Sequence, residues 1–161
     1  MIEKIKTWIE EFVSTHNETI GHVPCPFAKQ AMLTDKIRYK EVNRDNTVST
    51  LEDLVDNWNE KYEVVVVYAR TSEMSPMELA KLVEDFNEEA MKKDIVALED
   101  HPNDFEMLNG VKMNFGSAIL ILVQRLSKLN NASKMLQKQG YYENWKQENY
   151  DDVVSWRFKS Q

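Results

Sequence analysis

The chain of 161 residues is poor in the residues that most readily betray a chemistry. It holds one cysteine, three histidines, four glycines and four prolines. One cysteine excludes an internal disulfide and every paired-cysteine zinc motif. No secretory apolar core precedes it, so a reducing, cytoplasmic setting is expected. So few glycines leave no glycine-rich phosphate loop and no dinucleotide fingerprint. Apolar runs are also short. The longest, Ala118 to Val123, cannot cross a bilayer, and Glu3, Lys4, Lys6, Glu10 and Glu11 interrupt the apolar positions of residues 1–13. No membrane partner is expected. Basic residues are in deficit, 20 Lys+Arg against 27 Asp+Glu, for a formal net charge of −7. Phosphate neutralisation needs a basic face, so no nucleic-acid partner is expected either.

What is present suits one α/β domain. A chain of this length buries roughly 70% of its unfolded surface and needs no covalent staple. Ile2, Ile5, Trp8, Ile9, Phe12 and Val13 recur at helical spacing, which predicts an amphipathic helix over residues 2–16. Cys25-Pro26 reads as a cap and first turn of a helix over 26–33. Lys36 to Val42 alternates and predicts a strand. Ser49 with Glu52 reads as a capping box for a helix over 50–60. Val64 to Tyr68 is a β-branched run, expected as a central strand buried on both faces.

Ser75-Pro76-Met77-Glu78 is a second capping box, opening a helix to about residue 92. A strand over 94–98 leads into the polar loop Glu99 to Phe105, and residues 103–116 read as irregular. Residues 117–124 predict a strand. Ser127 is expected to cap a helix to Gln139 with Gly140 just past its end, and Val153 to Phe158 in the aromatic tail 141–161 to add a short strand. The expected fold is a single-domain mixed sheet of four to five strands with helices on both faces. Its order is βαβαββα after the N-terminal helix, with a mostly parallel centre and an antiparallel edge.

The special residues gather in Gly21-His22-Val23-Pro24-Cys25-Pro26-Phe27-Ala28. A cysteine at a helix start meets unpaired backbone N–H groups, which favour thiolate. His22, or His101 from a loop at a strand end, is the base such a thiol would need. Arg38, Arg70 and Arg125 sit in or after predicted strands, where a guanidinium can hold an anionic group by paired hydrogen bonds. The candidate catalytic set is Cys25, His101 and Arg38. His22, Cys25 and His101 form an alternative zinc or iron set, with His16, Asp100 and Asp104 as further ligand types. Otherwise no cofactor is implied.

Cys25-Pro26-Phe27-Ala28 carries two resemblances. With Trp8 on a helix before it, the strand Ile37-Arg38-Tyr39, the aliphatic strand Val64 to Val67, then His101-Pro102 and Phe105, the chain resembles domain-of-unknown-function family 1415 over residues 5–135. That resemblance implies a shared fold and a site at Cys25, Arg38 and His101, without a reaction. Over about 20 residues, Cys25 to Ala28 and Ile37 to Asn43 also resemble the active-site helix and next strand of glutaredoxins and omega-type glutathione transferases. That implies thiol–disulfide or glutathione chemistry. Three functions are therefore expectations: a cysteine-dependent enzyme acting on a small anionic molecule, a non-catalytic binding or adaptor domain with a protein partner, and a thiol redox protein.

Overall fold

The computed structural model describes residues 1–159; Ser160 and Gln161, the end of the aromatic tail, lie outside the described residues. Helix α1 (Ile2–Trp8) widens into a π turn (Ile9–Val13), closed by the Ser14 N–H on the Ile9 carbonyl at 2.8 Å. Then follow α2 (Ala28–Leu33), β1 (Ile37–Glu41), α3 (Thr47–Asp56), β2 (Val64–Ala69), α4 (Pro76–Ala90) and β3 (Ile95–Asp100). A small hairpin, β4 (Met107–Leu108) and β5 (Val111–Lys112), leads to β6 (Ile119–Arg125), α5 (Leu126–Lys138) and α6 (Gln147–Val153).

The main sheet has the order β1-β2-β6-β3. β1 and β2 are parallel, and β6 runs antiparallel to both β2 and β3. The expected mixed sheet with helices on both faces is what forms. The antiparallel strand is not at an edge, however. The crossover through α4 carries β3 past β2 and leaves a gap between them. The 101–118 connection then turns the chain back, so β6 fills that gap in the opposite direction.

Strand alternation sorts the core into two layers. Val65, Val67, Ala69, Ile95, Ala97, Ile119, Ile121 and Val123 pack against Leu51 and Leu54 of α3 and Leu79, Val83 and Ala90 of α4. Val66, Tyr68 and Leu120 face the other way, onto Ile5 and Ile9, with Ala28, Ala31 and Met32 of α2 beside them. Each aliphatic side chain buried in this way contributes about 1.5–3 kcal/mol.

Local signals fared unevenly. The Ser75–Glu78 capping box forms in both directions, with Pro76 in the first turn. The Ser49–Glu52 box does not form. α3 starts earlier, at Thr47, because Asn43 and Asn46 bind each other's backbone N–H groups and close the turn there. Ser127 does not cap α5 by itself: the Asp94 carboxylate accepts from both its N–H and its hydroxyl, at 2.8 and 2.6 Å. Gly140 takes φ +78°, and the Tyr141 N–H reaches back to the Leu136 carbonyl at 3.0 Å, a Schellman closure. Residues 153–158 form no strand. They continue from α6 into a 3₁₀ turn, Ser155–Phe158, held by Arg157.

Arg157 is 2% exposed. It donates to the Val153 carbonyl, Asn130 Oδ1 and Ser133 Oγ, which ties the tail to α5. Among the described residues, no helix is long and apolar enough to cross a membrane.

Candidate functional site

The turn around Cys25 is built from its own backbone and the tail. The Cys25 N–H donates to the Val13 carbonyl at 2.9 Å, so the π turn fixes where the cysteine sits. α2 begins at Ala28, two residues later than Cys25-Pro26 predicts, because Pro26 and Phe27 are used in a turn closed by the Ala28 N–H on the Cys25 carbonyl. The backbone N–H groups of Phe27 and Ala28 favour the thiolate and lower its pKa, as expected for a cysteine ahead of a helix. Burial is the larger influence, and the thiol is raised above its ordinary value.

His22 is locked beside it. The Trp145 indole can only donate, and it reaches His22 Nε2 at 3.1 Å. The ring proton therefore sits on Nδ1, which donates to the Val23 carbonyl at 3.0 Å. The Tyr141 hydroxyl faces the carbonyls of Val23 and Pro24 at 2.6 and 2.8 Å, and its ring stacks obliquely on His22. Tyr142 and Tyr150 extend this aromatic cluster edge to face. The tail thus covers the 22–25 turn and occupies its polar groups.

His101 and Arg38 do not join it. His101 is 3% exposed. Its Nδ1 accepts from the Asn103 N–H at 3.0 Å, and its Nε2 faces the Met74 carbonyl at 2.8 Å. Both nitrogens hold loops together, so no lone pair is left to act as a base. Arg38 pairs in register with Val65, so it projects to the α3/α4 side of the sheet, whereas α2 packs on the opposite side. Its guanidinium lies 6.0 Å from the Tyr62 ring. Arg125 is taken by Glu60 and the Lys93 carbonyl. Nor do His22, Cys25 and His101 form a metal set: among the described residues, no three His, Cys, Asp or Glu side chains are placed to hold an ion.

An extensive concave surface lies elsewhere. A groove of about 1300 Å³ wraps the outer edge of β3. Leu98 and its cross-strand partner Leu122, with Leu120, Trp8 and Trp156, form an apolar floor. Its walls come from α4, the 104–106 loop, Met113-Asn114 and the tail at 151–153. Two buried amides build its frame. Asn87 of α4 brackets Ala97, donating to its carbonyl at 2.9 Å and accepting from its N–H at 2.8 Å. Asn114 accepts from the Glu106 N–H and donates towards Asp100 Oδ1 and the Asp104 carbonyl, each at 2.7 Å. Asp100 also accepts from the Phe115 N–H at 2.8 Å.

The electrostatics of this groove set it apart. Nine carboxylate residues and two lysines line it, a net of −7. That equals the formal net charge of the whole chain. Removing nine from 27 acidic residues and two from 20 basic ones leaves eighteen of each, so the remainder is balanced. Burial first, then the like charge of Asp104, raises Glu99. Burial also raises Asp100, against the opposing bonds from Phe115 and Asn114. Glu106 is raised by burial and then by Asp100, Asp104, Asp152 and Glu99. A second groove of about 660 Å³ between α3 and α4 differs: two of its three carboxylates, Glu78 and Asp85, are paired with Arg44 and Lys81.

Of the residues near this groove, the sequence singled out only His101, as a base or ligand, and Asp100 and Asp104, as ligand types. It missed Glu99, Glu106, Asp151 and Asp152 because single carboxylates on loops and helices look like solvated surface. The polar run Glu99 to Phe105 at a strand end was the available signal.

Fold and site together define a mixed α/β domain with a locked cysteine turn and an open acidic groove at a sheet edge. Scans of family models, curated proteins and solved structures found no match to this chain.

Proposed function

We propose that the protein is a non-catalytic binding domain that holds a cationic partner in the groove along β3. One observation carries this reading: the groove lining bears a net charge equal to that of the entire chain. Acidity spread over a surface serves solubility. Acidity gathered on one concave surface raises the local concentration of cations and speeds their association. The raised carboxyl groups support the same reading, since a bound positive charge would relieve their mutual repulsion. Calorimetric titration with decalysine and decaglutamate in low salt tests it. Decalysine should bind, and its affinity should fall as salt rises. No binding of decalysine, or equal binding of decaglutamate, would overturn the reading.

The second reading keeps Cys25 as a reactive thiol, in a cysteine-dependent enzyme for a small anionic substrate or a thiol–disulfide redox protein. The resemblance at Cys25 to Ala28 implies it, and the Phe27 and Ala28 N–H groups at the sulfur favour it. Alkylation by iodoacetamide across pH separates the two. A half-buried thiol held above its ordinary value should react slowly up to pH 9, whereas rapid reaction at pH 7 would favour the enzyme.

A further inference from the structure

We infer that the occupant of the β3 groove is an extended peptide segment of a partner protein in which lysine or arginine alternates with apolar residues. This rests on the cation-binding reading and narrows it.

Three features select a peptide over a polyamine or an ion. The first is size. At about 1300 Å³, the groove exceeds the roughly 300–1,000 Å³ of ordinary small-molecule pockets. The second is the floor. Leu98, Leu122, Trp8 and Trp156 are only partly buried, so the groove presents apolar surface between its acidic walls. A polyamine would lay only a thin methylene chain on that floor, whereas alternate apolar side chains would cover it more fully. The third is the strand edge. Both peptide groups of Ala97 turn away from β6 to meet Asn87. With a strand period of two, those of Glu99 point the same way, towards the groove. Asn87 closes the edge at Ala97 and stops a full-length strand from pairing there. At Glu99 the edge continues past that bracket, next to the 104–106 wall. An extended chain fits such an edge, its side chains alternating between floor and walls.

Charge complementarity fixes the sign of the partner. Lys81 is engaged by Asp85 and Lys92 by Glu89, so the only two lysines of the lining are already held. The carboxylates of Glu99, Glu106 and Asp152 then face the groove without an ion-pair partner among the described residues. Basic side chains along an extended segment would reach the two walls in turn.

The test uses the whole protein and four synthetic heptapeptides, titrated by calorimetry: alternating Lys-Leu, alternating Lys-Ser, all-Lys and alternating Glu-Leu. Lys-Leu should bind at least tenfold more tightly than Lys-Ser, which carries the same charge at the same length. The Glu99→Gln/Glu106→Gln double variant, which keeps the size of both side chains, should lose at least fivefold for Lys-Leu and show a shallower salt dependence. Glu3→Gln/Glu10→Gln, remote from the groove, should bind as the native chain does. Equal binding of Lys-Leu and Lys-Ser, with all-Lys still binding, would overturn the peptide inference and leave the cation reading standing. Failure of every lysine peptide, or equal binding of Glu-Leu, would overturn both. Unchanged Lys-Leu affinity in Glu99→Gln/Glu106→Gln would remove the groove as the site.

Discussion

The Cys25 turn and the β3 groove are opposites in composition and in state. The turn concentrates the rarest residues of the chain, yet its polar groups are bound: His22 by Trp145 and Val23, and the carbonyls of Val23 and Pro24 by Tyr141. The groove is made of common acidic residues, yet Glu99, Glu106 and Asp152 converge there without an ion-pair partner among the described residues. Rare residues at the turn are explained by tight local geometry. Common residues at the groove are explained only by where they converge. The contrast teaches that unusual chemistry in a sequence marks difficult backbone as readily as it marks a site.

The largest break in that contrast should come from Arg157→Ala. The guanidinium anchors the tail, and the tail supplies Tyr141 and Trp145 to the turn and Trp156 to the groove. Loss of its bonds to the Val153 carbonyl and Ser133 should cost about 2–4 kcal/mol of stability in urea denaturation. Both regions should loosen together. Asn114→Ala should separate them. It removes the bonds to Asp100, Asp104 and Glu106 and should cost about 2–3 kcal/mol. Amide exchange should quicken over residues 101–115 and stay unchanged over residues 22–25.

A pH series sharpens the comparison further. Glu99, Asp100 and Glu106 are raised in the folded chain above their ordinary values of 4.5, 3.8 and 4.5. The native state therefore binds more protons than the unfolded chain in the window above those values. Their contribution to stability is full below that window and declines as pH rises through it. Glu99→Gln/Glu106→Gln should then melt higher than the native chain at pH 7, and the advantage should vanish near pH 4. Binding sites often trade stability for function in this way. A variant less stable than the native chain at pH 7 would contradict the strain assigned to the groove.

The smallest effect belongs to the turn. Tyr141→Phe removes one shared hydroxyl and should cost about 1 kcal/mol. It should also speed alkylation of Cys25, because the hydroxyl no longer ties the Val23 and Pro24 carbonyls to the tail. Cys25→Ser should leave peptide binding unchanged within error.

Much of the fold was legible in the chain. β-branched Val64 to Val67 announced the central strand, and Ser75-Pro76 with Glu78 announced α4. Gly140 marked the end of α5 through its positive φ. The position of β6 was not legible, because strand order depends on a gap left by a crossover and not on the strand's own residues. Asn43 hid the true start of α3, since an asparagine pair closing a turn looks like ordinary loop composition. The site was harder still. His22 and His101 could be singled out by type, but the groups that occupy them, the Trp145 indole and Val23 carbonyl for one and the Met74 carbonyl and Asn103 N–H for the other, come from distant segments or from backbone. Glu99, Glu106 and Asp152 become neighbours only after β3, the 104–106 loop and α6 are assembled.

The most direct measurement is an amide chemical-shift map of the isotope-labelled protein on addition of the Lys-Leu heptapeptide. Perturbations should cluster at Leu98 to Asn114 and along the α4 wall, with residues 21–28 unmoved. A map centred on His22 to Ala28, or no perturbation at saturating peptide, would contradict the assignment of function to the groove.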